Sequence, residues 1–252
     1  MAHSILREGN RSSEVLELTT LLEKRGHIDS SGRAFNRTVR RAVEEFQARH
    51  VDSRGRPLVV DGVVGPLTWW ALEHEVEVLA PPGGVDFAVM PRRGGSPRGR
   101  AALAVAIAEM EAGAREIGTN NSGPFVAKYL NGILVPPANW CAAFVSWCFS
   151  QHADGTPFRY SLGARDIRFQ FKDKGWLHEG EDPQPGDIIV WWRGQPNGWK
   201  GHIGLVHHSA NGVVYTIEGN KGAFPARVRG FDYVLGRIDR LLGFGRVPGG
   251  RS

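Results

Sequence analysis

PQPGDIIVWWRGQPNGWKGHIGLVHHSANGVVYTIEGN, residues 183–220, is the stretch on which the reading of the fold turns. Three runs within it, GDIIVWW, GHIGLVHH and GVVYTIEGN, are rich in β-branched and aromatic residues. Gly, Pro and Asn bound them, the pattern of strands separated by turns. A fourth run, LLGFGRV, follows at 241–247. Upstream the period changes. Leu103, Ile107, Met110, Ala114 and Ile117 predict one amphipathic helix starting near Arg100. A short helix is expected after Pro124, another from Cys141 (CAAFVSWCFSQH), and another over 163–174. Helices first and a strand meander later define an α+β domain.

Three segments of this region carry reactive side chains. NWCAAFVSW puts Cys141 near the start of a helix, GHIGLV puts His202 on a strand, and TIEGN puts Glu218 and Asn220 on the next. A cysteine at a helix N-terminus faces unpaired N–H groups and the positive end of the dipole, and both favour the nucleophilic thiolate. A neighbouring imidazole can hold that thiolate as an ion pair and later protonate a leaving amine. A carboxylate or amide must in turn orient the imidazole. Cys148 has apolar neighbours and reads as core. Trp140, Trp191, Trp192 and Trp199 are candidates to line a groove, although core packing accounts for at least two of them equally well.

Taken together these segments resemble the CHAP family of cysteine- and histidine-dependent amidohydrolases/peptidases over residues 101–248. The matching pieces are Trp-Cys-Ala-x-Phe-Val at the helix start, Pro-x-Pro-Gly-Asp-Ile at 183–188, Gly-His-Ile-Gly at 201–204 and Ile-Glu-Gly-Asn at 217–220. The resemblance implies a papain-like domain in which Cys141 attacks an amide carbonyl, His202 is base and acid, and Glu218 and Asn220 orient it. It implies peptidoglycan as substrate. No cofactor is expected. Some relatives bind calcium through an acidic loop before the nucleophile, but here that loop reads GTNNSGP, and no His/Cys/Glu spacing fits zinc. Two alternatives are an NlpC/P60-type endopeptidase, against which the Glu-x-Asn after His202 speaks, and a non-catalytic wall-binding or structural phage protein.

The first part of the chain has a different pattern. Val15, Leu18, Leu21 and Leu22 mark a helix over 12–26, with Ser12 or Ser13 as cap and Gly26 as stop. Val39, Ala42, Val43 and Phe46 mark a second over 36–50. A turn-rich stretch then leads to PLTWWALEHE, with Pro66 in the first turn of a third helix. Residues 5–75 resemble the three-helix peptidoglycan-binding domain. The most specific piece is the Asp-Gly-x-x-Gly-Pro-x-Thr-Trp motif made by Asp61, Gly62, Gly65, Thr68 and Trp69. A second Asp-Gly turn frequent in that family is replaced here by SSGRAFNRT. Residues 76–100, rich in Pro, Gly and Arg, read as a linker. The expected architecture is thus a small all-α domain, a linker, and an α+β domain.

Composition narrows the partners. The net charge is +5 over 252 residues. Residues 1–80 hold 11 Lys/Arg and 12 Asp/Glu, residues 81–100 hold 4 and 1, and the remainder holds 16 and 13. No segment has the dense basic stripe of a nucleic-acid binder, whereas mild positive charge suits an acidic wall. No run of 18 apolar residues exists, so no integral membrane segment is expected. The first twenty residues have no apolar core of signal-peptide length. Synthesis in the cytoplasm as a monomer, with wall access by lysis or injection, is the corresponding expectation. Cys141 and Cys148, about 10.5 Å apart along one helix, are too far apart for a disulfide.

The hairpin after His202 carries a further constraint, because strand side chains alternate faces. A two-residue Asn211-Gly212 turn pairs Ala210 with Val213 and points His202 away from Glu218. A three-residue loop pairs Ser209 with Val213 and puts His202, Glu218 and Asn220 on one face. The Asn-Gly dipeptide by itself favours the shorter turn. The shared face favours the longer one, which is the expectation here; a compensating bulge would serve equally.

Overall fold

The computed structural model describes residues 3–25, 27–28, 30–54, 58–74, 85–178, 182–222, 224–236, 238 and 240–249. The chain divides into two compact units, Met1–Glu77 with Lys221–Pro225, and Val78–Asn220 with Ala226–Ser252.

The first unit contains three helices, α1 (Ser13–Lys24), α2 (Arg37–Arg49) and α3 (Pro66–Glu73). Ser12 caps α1, its Oγ accepting from Val15 N at 3.2 Å, and Asn36 caps α2 in the same way at 3.0 Å. The expected stop at Gly26 lies outside the described residues. Val15, Leu18, Leu22, Val43, Phe46 and Leu72 close a core in which Trp69 is also buried. The Asp-Gly motif is built into that core through Gln47 of α2, which sequence reading passed over. The Gln47 amide nitrogen donates to Asp61 Oδ1 (3.0 Å), Val63 O (2.8 Å) and Thr68 Oγ1 (3.3 Å). Its oxygen accepts from the N–H groups of Asp61 (3.1 Å) and Gly62 (2.9 Å). Trp69 donates through Nε1 to Ser4 O at 3.0 Å. Gly62, at φ +72°, lies so close to Arg40 that a side chain would displace it.

The second unit holds α4 (Pro97–Glu111), α5 (Pro124–Leu130), α6 (Cys141–Ser150) and α7 (Ala164–Asp173). Then come β1 (Leu177–His178), β2 (Ile188–Trp192), β3 (Gly201–Ala210), β4 (Val213–Lys221), β5 (Arg227–Val234) and β6 (Leu241–Gly245). They form one six-stranded sheet in the order β1-β6-β2-β3-β4-β5. Ile188, Val190, Ile203, Leu205 and Ile217 point to the helices and join Leu103, Phe144, Ile167 and Phe171 in the main core. Ile189, Trp191, Val206, Val214 and Phe244 fill a smaller core on the other face. Burial on both faces explains why β2 reads as an unbroken apolar run.

Three expectations are corrected here. The helix marked by Leu103 and Ile107 does not reach Ile117: α4 stops at Glu111, Gly113 turns at φ +69°, and Ile117 is exposed. The linker expected over 76–100 is described from residue 85, and from there to α4 it packs on the second unit. Phe87 is buried against Gly230, where any side chain would overlap its ring. His207 Nε2 donates to Val89 O at 3.0 Å, and the Arg100 guanidinium to Pro91 O (2.6 Å) and Gly94 O (3.0 Å). Finally, the β3–β4 turn is the two-residue one. Ala210 pairs with Val213, and Asn211 (φ 52°) and Gly212 (φ 75°) take the left-handed conformations of a type I′ turn. The register is restored further along. His207 is an extra residue between the pairs Val206↔Thr216 and His208↔Tyr215, a β-bulge that returns Leu205 opposite Ile217.

Candidate active site

Helix α6 starts without a side-chain cap, with Trp140 at the N-cap and Cys141 as its first residue. Cys141 thus stands in a first turn whose leading N–H groups have no acceptor within the helix. Trp140 is anchored by Glu116, a carboxylate 1% exposed, which accepts from Trp140 Nε1 at 3.1 Å. The same carboxylate takes the N–H groups of Asn121 and Ala226, each at 3.0 Å. The indole lies over Gly219, where a side chain would strike it. Cys141 is partly buried and Cys148 buried, and neither is in a disulfide. Burial, and secondarily Glu109, pushes the Cys148 thiol well above its ordinary range, as suits a core residue.

Because the bulge restores the register, His202 and Glu218 meet. Nε2 of the imidazole lies 2.7 Å from Glu218 Oε2, with the two residues 2% and 0% exposed. A carboxylate accepts, so the ring proton sits on Nε2 and the lone pair on Nδ1. Glu218 Oε1 accepts from Thr216 Oγ1 and from the Tyr233 hydroxyl, each at 2.6 Å. Trp191, paired with His202 across β2 and β3, packs its ring 5.5 Å from the imidazole and 5.2 Å from Tyr233. Gly204 leaves the room that the Glu218 side chain occupies. Asn220 adopts φ 57° and bonds elsewhere: its Nδ2 donates to Asn139 Oδ1 at 3.5 Å, two residues before Cys141.

Two guanidinium groups, buried Arg193 and half-buried Arg229, belong to the same neighbourhood. The Arg193 guanidinium is pushed down to about 10, first by burial and then by Arg240, while Glu218 and Cys141 act in the opposite direction. Burial and Arg227 lower Arg229, and Glu218 opposes them.

The tryptophans divide. Trp140 and Trp191 are 0% and 1% exposed, so the expectation that they line a substrate groove is corrected: their rings are core. Trp192 is half-buried under the Arg240 guanidinium, 5.2 Å from its ring centre, and Trp199 is 81% exposed. Asp61, Gly62, Thr68 and Trp69 of the first unit hold the fold in place, as described above. Among the described residues, His3, Glu17 and Glu73 of the first unit are the one His/Cys/Asp/Glu group close enough to share an ion.

Sequence reading missed Thr216, Tyr233, Glu116 and Arg193. Thr216 was within reach, since two residues before Glu218 on a strand means the same face. Tyr233 lies on β5, a strand not anticipated.

Residues 135–220 match the family model of the CHAP domain. The matched span runs from the loop before Cys141 through Asn220 and so contains Cys141, His202, Glu218 and Asn220. Comparison with curated proteins and with solved structures gives no match. With this α+β fold, the match supports a hydrolase of the amidase/peptidase type for the second unit.

Proposed function

We propose that the protein hydrolyses an amide bond of peptidoglycan through a thioester on Cys141. The observation that carries this reading is the buried His202–Glu218 pair at 2.7 Å in a CHAP domain whose cysteine opens a helix. In the reaction Cys141 Sγ attacks the carbonyl carbon, and N–H groups of the first turn of α6 take up the oxyanion charge. His202, its Nε2–H held by Glu218, uses Nδ1 to accept the thiol proton and returns it to the leaving amine. Water activated by the same nitrogen then releases the acyl group. Asn220 is proposed to steady the loop ahead of Cys141 through Asn139. The bond is the muramoyl–L-alanine amide or a peptide bond of the stem or crossbridge.

The first unit is proposed to hold the enzyme on the wall. Of its signature residues Gly62, Thr68 and Trp69 are buried, and a surface groove of about 260 Å³ whose lining includes Asn10, Arg11, Asn36 and Arg37 is proposed to meet the polymer.

Zymography on wall preparations tests the reading. Wild type should clear the wall, and Cys141→Ser should lose almost all activity while keeping its fold. Lysis by Cys141→Ser at the wild-type rate would remove the mechanism. Cys148→Ala should leave turnover near normal. Mass spectrometry of the released fragments then names the bond.

A further inference from the structure

The Glu218 carboxylate is not held by His202 alone. Its second oxygen takes two short O–H hydrogen bonds, from Thr216 in its own strand and from Tyr233 in β5, and the residue is wholly buried. Tyr233 also packs on Trp191, which packs on the imidazole, so ring and carboxylate are gripped from the same side. We propose that Tyr233, with Thr216, is a positioning residue of the reaction, setting both the orientation of Glu218 and its basicity toward His202. This inference rests on the catalytic reading given above.

The chemistry is direct. An isolated buried carboxylate is a strong base and would draw the Nε2 proton toward itself. Hydroxyl donors on the other oxygen spread its charge and weaken that pull. The proton then stays on the imidazole, and the carboxylate is held to one rotamer. The other charged groups around Glu218 are Arg193, which follows β2, and Arg229 of β5; Cys141 of α6 also acts on Arg193. None of these is changed when only the tyrosine hydroxyl is removed.

Removing one hydroxyl leaves more negative charge on the carboxylate. Every proton affinity nearby then rises, so both limbs of the pH profile should move upward. The experiment follows Cys141 alkylation by iodoacetamide against pH in the full chain, alongside kcat and KM on solubilised wall. In Tyr233→Phe, which keeps the ring on Trp191, both limbs should shift by about half to one pH unit. The value of kcat should fall on the order of tenfold with KM unchanged. Thr216→Val should behave alike, and Thr216→Ser should keep the wild-type profile.

A Tyr233→Phe protein with the wild-type pH profile and only a lower melting temperature would overturn the proposal, because the hydroxyl would then be structural. Should that variant fail to fold, Thr216→Val reads the same oxygen and decides by the same criterion. The catalytic reading fails separately: wild-type Cys141 alkylating like an ordinary free thiol would overturn that reading and this inference together.

Discussion

Glu116 shows how a single residue outside every recognised motif can govern the position of one inside it. Its two oxygens collect the Trp140 indole and two backbone N–H groups, one from nearby Asn121 and one from distant Ala226. Replacement by alanine strands three buried donors and should cost about 3 kcal/mol or more. Glu116→Gln should cost less, since one oxygen remains to accept. Urea unfolding of the two variants checks the order, and equal stability of Glu116→Ala and wild type would contradict it. Legibility at this scale followed chemistry. The meeting of His202 with Glu218 could be expected from sequence because the chemistry of such a site restricts which residue types serve. Glu116 could not, since a glutamate in a polar stretch gives no sign that three donors will converge on it. Trp140 and Trp191 could not be told from Trp192 and Trp199 for the opposite reason: the same ring suits a groove and a core, and only burial separates the two.

Among the elements, β3 departs most from expectation. The Asn211-Gly212 turn followed the local rule for type I′ geometry, and the shared face was recovered by the bulge at His207. Sequence patterns mark turns through Gly and Asn, but a bulge leaves no comparable mark, so the face could be anticipated, and the bulge only as an alternative without a position. The bulged residue carries a pH dependence. Burial, aided by His208, pushes His207 down to about 4 from an ordinary value near 6.5. Between those two values the unfolded chain takes up a proton that the folded chain refuses. The stability is therefore complete above about pH 6.5 and declines as pH falls toward 4, by up to about 3 kcal/mol. His207→Gln can still donate to Val89 O and does not titrate. Guanidinium unfolding between pH 4 and 7.5 should show a shallower slope for that variant; parallel slopes would count against the assignment. The segment over 85–96 was misread for a related reason. Pro, Gly and Arg without periodicity look like a tether, and nothing in APPGGVDFAVMP announces that Phe87 will be buried against Gly230.

For the molecule as a whole, the helical-then-α+β order was legible because hydrophobic period separates helix from strand over long stretches. The family match at 135–220 supports the second unit. The division of labour leads to an experiment with two fragments. Residues 1–78 should sediment with purified wall without cleaving it. Residues 85–252, cut so as to retain the Phe87 segment, should cleave solubilised fragments as the full chain does and insoluble wall more slowly, because tethering to an insoluble substrate raises effective concentration. Residues 1–78 remaining wholly in the supernatant would make that unit structural. The hydrogen bonds of Gln47 to Asp61 and Thr68 add a consequence for how such a unit can diversify. Residues that the interior requires are constrained by folding, whatever polymer lies outside. Exposed positions such as Arg11 and Arg37 escape that constraint, so target preference can drift, or be redesigned, while the motif stays fixed. Substitutions at Gly62, Thr68 and Trp69 should therefore lower folding yield, whereas the proposed wall specificity is to be sought at exposed positions.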